Sequence, residues 1–415
     1  MALNSRWVYS FSIFIFFFFW SLFPCLADLA TDTIYLTWQR SPDTTMTIQW
    51  ISPADQDQSP VLYRSKEETG WRTENGIYYL FPQTSNYFIH HVELQGLKPD
   101  SEYVFKISVD SPEFLFKTMP SQLDKPIRFV VGGDMYHDGL ELLSATNKQA
   151  ALFNPSFAVV GGDIAYASGS RFDSLQKVDR WMAWVKAWHK DMVTPQGYLI
   201  PVIAAIGNHD VSGNYNQTPA QARIFSLLFP MPGFQIYNAI DFGSYLSIIL
   251  LDSGHANPIA GKQTEWLKNT LGTRQNVTNL FAVYHVPAYS SIRSFNGRTS
   301  MDIRRYWVPL FEKGRIQTVF EHHDHAYKRT YPLLNNKVDP NGIIYLGDGA
   351  WGVAKPRIPK ASRPKRFYIA KFASKRHFIG VTLQKEKQTF VSIDPEGNLI
   401  DEYVRSLVSK NGEKE

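Results

Sequence analysis

Residues 157–166 read Phe157-Ala158-Val159-Val160-Gly161-Gly162-Asp163-Ile164-Ala165-Tyr166: four apolar residues, two glycines, a carboxylate and, three positions on, a phenol. A short apolar run stopped by glycine fits a strand buried on both faces, and glycine lets the backbone turn sharply where the strand ends. The pattern recurs on both sides. Upstream, residues 127–131 end in Gly132-Gly133-Asp134; downstream, residues 201–206 end in Gly207-Asn208-His209-Asp210. Between them lies 173–188, with apolar residues at helical spacing. This strand–helix–strand rhythm predicts a layered α/β domain. Further apolar strands at 245–251, 280–284, 318–320 and 343–346 each end beside a polar cluster.

In such sheets, ligand-binding groups gather beyond the carboxyl ends of the strands. Here those ends carry Asp134, Asp163 with Tyr166, Asn208 with His209, His285, and His323 with His325. Oxygen and imidazole donors without sulfur suit iron, manganese or zinc. Seven donors are too many for one ion and are used naturally by two ions that share a bridging carboxylate. Singly, each residue has a plainer reading. An aspartate after two glycines is a turn residue, a lone tyrosine is a core aromatic, and His285 alone is a satisfied core histidine. His323 and His325 say more, because alternate residues of an extended segment face the same way.

Residues 30–118 have another texture. Segments 33–38, 46–51, 61–65, 87–94 and 103–109 are rich in β-branched and aromatic residues and are separated by Pro, Gly and Asp clusters. The stretch Gly96-Leu97-Lys98-Pro99-Asp100-Ser101-Glu102-Tyr103 resembles the tyrosine corner of immunoglobulin-like sandwiches, and Trp50 is the expected core aromatic. The expected fold is therefore an N-terminal all-β, fibronectin-III-like sandwich over 28–120, an α/β domain of two sheets flanked by helices over 121–402, and a polar tail over 403–415.

The first residues read as a secretory signal over 1–27. Arg6 is followed by a nearly continuous apolar run, then by Pro24 and by Cys25-Leu26-Ala27, with cleavage expected after Ala27. Cys25 is the sole cysteine, so the mature chain would hold none. That excludes a disulfide framework, cysteine-ligated zinc and a thiolate nucleophile. The sequons at Asn216 and Asn276 agree with secretion. A net charge of +5 is too mild to argue for nucleic acid. No membrane segment is expected in the mature form. A non-covalent homodimer stays open, and so does a vacuole or lysosome-like compartment beside the extracellular space or cell wall.

The ordered blocks Gly133-Asp134-Met135-Tyr136, Gly162-Asp163-Ile164-Ala165-Tyr166, Gly207-Asn208-His209-Asp210, Val283-Tyr284-His285 and His322-His323-Asp324-His325 resemble those of the purple acid phosphatases, within the calcineurin-like metallophosphoesterases. The resemblance implies a secreted dinuclear-metal acid phosphatase that cleaves small phosphate monoesters by attack of a hydroxide supplied at the metal pair. It implies that Asp163 bridges the ions. Asp134, Tyr166 and His325 would complete an Fe(III) site, and Asn208, His285 and His323 a divalent site for Zn, Mn or Fe. Asn208 and His209 would also contact substrate. His209 would protonate the leaving alcohol, oriented by Asp210. A phosphodiesterase of the same group and a non-catalytic metal or cell-wall binding protein are the alternatives.

Three departures mark a divergent branch. Tyr136 and His322 replace glycines of the first and last blocks, and no histidine follows the block at His285 where the family has one. Arg293 is the candidate for that phosphate-binding role, with His255 and His322 as further candidate substrate contacts. Lys355, Arg357, Lys360, Arg363, Lys365 and Arg366 form a basic run without an acid between them. It reads either as a solvated loop or as a positive rim that attracts phosphorylated substrates.

Overall fold

The computed structural model describes residues 29–360 and 366–407. The expected signal and Cys25 lie outside these residues. Two four-stranded antiparallel sheets form the N-terminal part. One runs Tyr35–Thr37, Met46–Pro53, Tyr87–Leu94, Ile77–Leu80; the other runs Arg72–Asn75, Pro60–Ser65, Glu102–Lys106, Phe114–Lys117. The tyrosine corner is present: the Lys98 amide donates to the Tyr103 hydroxyl at 2.8 Å. Trp50 is buried and lies flat on His90, with ring centroids 4.6 Å apart.

The second part is two facing sheets. The six-stranded one runs Val202–Ala205, Phe157–Gly161, Ile127–Gly132, Phe378–Gln384, Lys387–Ile393, Leu399–Ser406, and its first three strands are parallel. The seven-stranded one runs Asn238–Phe242, Leu246–Leu250, Asn279–Val283, Thr318–Glu321, Ile344–Gly347, Tyr327–Thr330, Ile369–Ala373, with four consecutive parallel strands from Leu246 to Gly347. Aromatic rings join the sheets: Phe281 meets Phe129 at 6.2 Å and Phe390 at 6.2 Å across the gap. Burial on both faces explains why these central strands read as unbroken apolar runs. Helices Leu140–Leu152 and Val178–Asp191 lie on one side, and Lys262–Gly272, Arg298–Tyr306 and Val308–Lys313 on the other.

The β domain is anchored to this body. Trp38 packs edge-on against Phe157 and Phe242, and the Tyr35 hydroxyl donates to the Leu228 carbonyl at 2.9 Å. Two expectations need correction. The helix expected at 173–188 begins at Val178, because the Asp173 carboxylate accepts from the amides of Gly169 and Ser170 and holds a turn there. The chain does not become a tail at 403, since residues 404–406 pair with Thr389, Gln388 and Lys387. Among the described residues no helix is long and apolar enough to cross a membrane.

Candidate metal centre

Every expected donor stands just beyond the carboxyl end of a parallel strand, and both sheets contribute. Asp134 follows Ile127–Gly132, Asp163 and Tyr166 follow Phe157–Gly161, and Asn208 and His209 follow Val202–Ala205. His285 follows Asn279–Val283, and His323 and His325 follow Thr318–Glu321. The loops are stitched together through the main chain. Asp134, Met135 and Tyr136 donate their amides to the carbonyls of Gly162, Asp163 and Ile164, and the His322 amide donates to the His285 carbonyl.

The backbone under the donors is strained. Asp134, Asp163, Tyr166, His323 and His325 all have φ between 50° and 76°, a region that costs a non-glycine residue of order 1 kcal/mol. Such strain persists only where the surroundings over-determine it, and it concentrates at functional sites. Close packing holds it here: a Cβ on Gly349 would fall 1.8 Å from Asp134 Oδ2, so only glycine fits.

Two triads result. In one, the Tyr166 hydroxyl donates to Asp134 Oδ1 at 2.8 Å and lies 3.0 Å from His325 Nε2, which itself is 2.8 Å from Asp134 Oδ1. In the other, His285 Nε2 lies 3.0 Å from Asp163 Oδ2 and 3.0 Å from His323 Nδ1. The donor atoms of Asp163, His285 and His323 all fall within 4.8 Å of one another, and all three residues are buried. His285 Nδ1 donates to the Gly161 carbonyl at 2.9 Å, which orients the ring so that Nε2 is the atom turned toward Asp163 and His323. Asn208 is tied to the second triad through Tyr215, whose hydroxyl is 3.3 Å from both Asn208 Oδ1 and His323 Nε2.

The donor set fits cations. Two buried carboxylates, a phenol and the imidazoles of His285, His323 and His325 converge within contact distance, a set of oxygen and nitrogen donors without sulfur. Burial pushes the Asp163 carboxyl up, but the imidazoles of His285 and His209 outweigh it and hold it well below the usual range. Burial opposes a charge on His285, yet the Asp163 and Asp134 carboxylates raise it to about 9. Burial, and then the Arg293 charge, hold His323 well below the ordinary imidazole value, and burial lowers His325. Those two rings are therefore in the neutral form that binds metal.

His209 lies against this centre. Its ring stacks on Tyr166 with centroids 4.5 Å apart, Nε2 is 4.0 Å from Asp163 Oδ2, and Nδ1 bonds the Ser168 carbonyl. Asp210 does not orient it, contrary to expectation. The Asp210 carboxylate accepts from the amides of Asp163, Ile164 and Gly207 at 2.8, 2.8 and 2.9 Å and clamps two donor loops together. Burial, and then the Asp163 charge, push it up to about 7.

Two expected substrate contacts lie elsewhere. His255 is fully buried behind His285, with ring centroids 5.7 Å apart, and its nitrogens meet Ser253 Oγ and the Asn214 carbonyl. His322 is buried beneath the site, where its ring covers Gly133 and Gly161; a Cβ on Gly161 would come within 1.7 Å of it. Both rings lie under the wall rather than on its surface. Arg293 does reach the rim: its Nη2 donates to the His323 carbonyl at 3.2 Å. Asn216 and Asn276 are exposed. Sequence reasoning passed over Tyr215 and His137. The His137 ring meets the edges of Tyr166 and His325, each at 4.8 Å. Its position three residues after Asp134 in the same loop was the available signal, whereas Tyr215 offered none.

A groove of about 610 Å³ between the β domain and the six-stranded sheet is lined by Asp100, Lys117, Lys125, Asn154 and Tyr198 and holds none of the clustered donors.

Residues 31–118 match the purple acid phosphatase N-terminal domain, and residues 127–327 match the calcineurin-like phosphoesterase domain. Purple acid phosphatase 21 of Arabidopsis thaliana is 26% identical over 275 residues, covering 63% of this chain and 58% of that protein. The chain thus spans under two thirds of that relative's length. Acid phosphatase type 7 of Mus musculus is 24% identical over 433 residues, covering 91% of this chain and 92% of that protein. Among solved structures, a purple acid phosphatase from yellow lupin (Lupinus luteus) seeds superimposes with a TM-score of 0.73 at 18% identity, over 90% of this chain and 74% of the other.

Proposed function

This chain belongs to the purple acid phosphatase family of calcineurin-like phosphoesterases, and from that premise we propose that it is a secreted, dinuclear-metal phosphatase that hydrolyses small phosphate monoesters in acid. The observation that carries the reading is the pair of donor triads, Asp134–Tyr166–His325 and Asp163–His285–His323, at contacts of 2.8 to 3.0 Å. The expected signal and the two exposed sequons support secretion.

Asp134, Tyr166 and His325 would hold an Fe(III) ion; Asn208, His285 and His323 would hold a divalent Zn, Mn or Fe ion; Asp163 would serve both. The assignment follows charge, since a phenol and carboxylates suit a trivalent ion and neutral imidazoles with an amide suit a divalent one. Bound there, the pair of cations supplies Lewis acidity toward phosphoryl oxygens and lowers the pKa of a water enough to give a nucleophile in acid.

The chain supplies the rest. His209 bonds the Ser168 carbonyl through Nδ1, which leaves Nε2 facing the centre. Its stacking on Tyr166 fixes the ring plane. A protonated Nε2 donates to the phosphoryl group and then passes its proton to the leaving alkoxide oxygen. The Asp210 clamp keeps the loops of Asp163 and Asn208 in register for this.

The test uses the purified full chain. Metal content, the visible spectrum and hydrolysis of an aryl phosphate and an aryl phosphodiester are measured across pH. Turnover that favours the monoester in acid, with a purple absorption that Tyr166→Phe abolishes, is expected. Protein that binds two metals per chain and hydrolyses neither ester overturns the reading.

A further inference from the structure

His323 plays two parts. Its imidazole belongs to the donor cluster, while its carbonyl accepts from Arg293 Nη2 at 3.2 Å and from Arg357 Nη1 at 3.3 Å. Two guanidiniums therefore converge on one main-chain oxygen at the edge of the centre. Arg357 is further fixed there by its own amide, which donates to the His325 carbonyl at 2.8 Å. Like charges converge on a neutral acceptor only at a cost unless an anion joins them. Burial, and then the Arg293 charge, depress the Arg357 guanidinium, against the Asp134, Tyr166 and Asp324 charges that raise it.

The nearby acids answer this charge only in part. Asp324 lies 3.5 Å from Arg293 Nε, and its other oxygen is filled by Ser290 Oγ and the amides of Ile292 and Arg293. Glu321 and Asp348 are both engaged by the buried Lys328. Arg366 adds a third cation, bonded to the Arg293 carbonyl. Among the described residues neither Arg357 nor Arg366 has a carboxylate within ion-pair distance. The Arg293 side chain is partly exposed, so one face of the pair is open to a ligand.

We propose that Arg293 and Arg357 form an anion subsite beside the metal centre, which selects phosphate monoesters carrying a second anionic group close to the scissile phosphate. The chemistry recognised is a pair of anionic oxygens matched to a guanidinium fork, as either a phosphate or a carboxylate presents. This selectivity rests on the phosphatase reading above. A substrate without the second anion would use the metal centre alone and leave Arg357 without an ion-pair partner and Arg293 with Asp324 alone.

The experiment compares kcat/KM for phenyl phosphate, 2-carboxyphenyl phosphate and inorganic pyrophosphate on the full chain. Arg357→Gln should lower the ratio of doubly anionic to plain substrate by about tenfold or more, with metal content unchanged, and Arg357→Lys by less, since it keeps the charge but loses the fork. Arg293→Gln provides a second reading should Arg357→Gln not fold. Loss confined to pyrophosphate identifies the second group as a phosphate, and loss confined to the carboxylate ester identifies a carboxylate. Unchanged ratios in both glutamine variants overturn the subsite while leaving the phosphatase reading intact. If the wild-type chain hydrolyses none of the three, the phosphatase reading fails, and equilibrium binding of methylenediphosphonate against methylphosphonate then tests the subsite. A preference that vanishes in Arg357→Gln supports it, and a preference that survives overturns it.

Discussion

Asp163 Oδ2 and His285 Nε2 lie 3.0 Å apart and both residues are buried, although one strand end comes from each of two facing sheets. The contact joins the sheets at the point where the donors cluster. Asp163→Ala removes the carboxylate shared by the proposed sites and leaves His285 without its counter-charge. Bound metal and turnover should fall together, turnover by about 10³-fold or more. Elemental analysis beside aryl phosphate hydrolysis checks this; full metal content with normal rates would contradict the shared role of Asp163.

His209 should separate binding from chemistry. Its ring touches Tyr166 but coordinates through none of the short contacts in either triad. His209→Ala should keep both metals and lose about 10²-fold or more in kcat. A poor leaving group should suffer more than an activated aryl ester, because proton delivery matters most where the departing oxygen is basic. Rates for a nitrophenyl and an alkyl phosphate, with metal content as the control, decide it.

The donors were legible because the chemistry demands particular residue types in short loops after strands, and such loops are marked by glycine. The role of Asp210 was not. A carboxylate that caps main-chain amides looks, in sequence, the same as one that orients the neighbouring imidazole, and only the bonds to Gly207, Asp163 and Ile164 separate the two. His255 and His322 misled for a related reason: nearness in sequence to a donor does not say whether a ring faces the site or lies behind it. Edge strands escaped too. Arg72–Asn75 is polar and wholly exposed, so no buried face imposes the alternation by which strands are recognised. The fibronectin-like part was readable because Tyr103 and Trp50 mark its core.

Asp210→Ala should unfold the site as well as disable it. Three amides in a buried setting would lose their acceptor, at a cost of about 3 kcal/mol or more. Asp210→Asn keeps one acceptor oxygen and should recover part of that loss. Urea midpoints of the two variants should rank wild type, Asn, Ala; an alanine variant as stable as wild type would remove the clamp from the account.

The β domain should make the protein less stable in acid, apart from any effect at the metals. His90 lies between Ser52 Oγ at 2.7 Å and Ser59 Oγ at 2.8 Å and stacks on Trp50. Burial, helped by the neighbouring His91, lowers its pKa to about 4. The unfolded chain takes up this proton near the ordinary imidazole value of about 6.5, before the folded chain does. Stability from His90 is therefore complete above about pH 6.5, declines as pH falls toward 4, and is constant below that. The depressed pKa sets the loss at about 3 kcal/mol. The difference between wild type and His90→Gln isolates the effect: the wild-type melting temperature should drop between pH 6.5 and 4, and His90→Gln, which cannot titrate, should make that slope shallower. A variant whose melting temperature tracks wild type across the interval would show that His90 is not the group responsible.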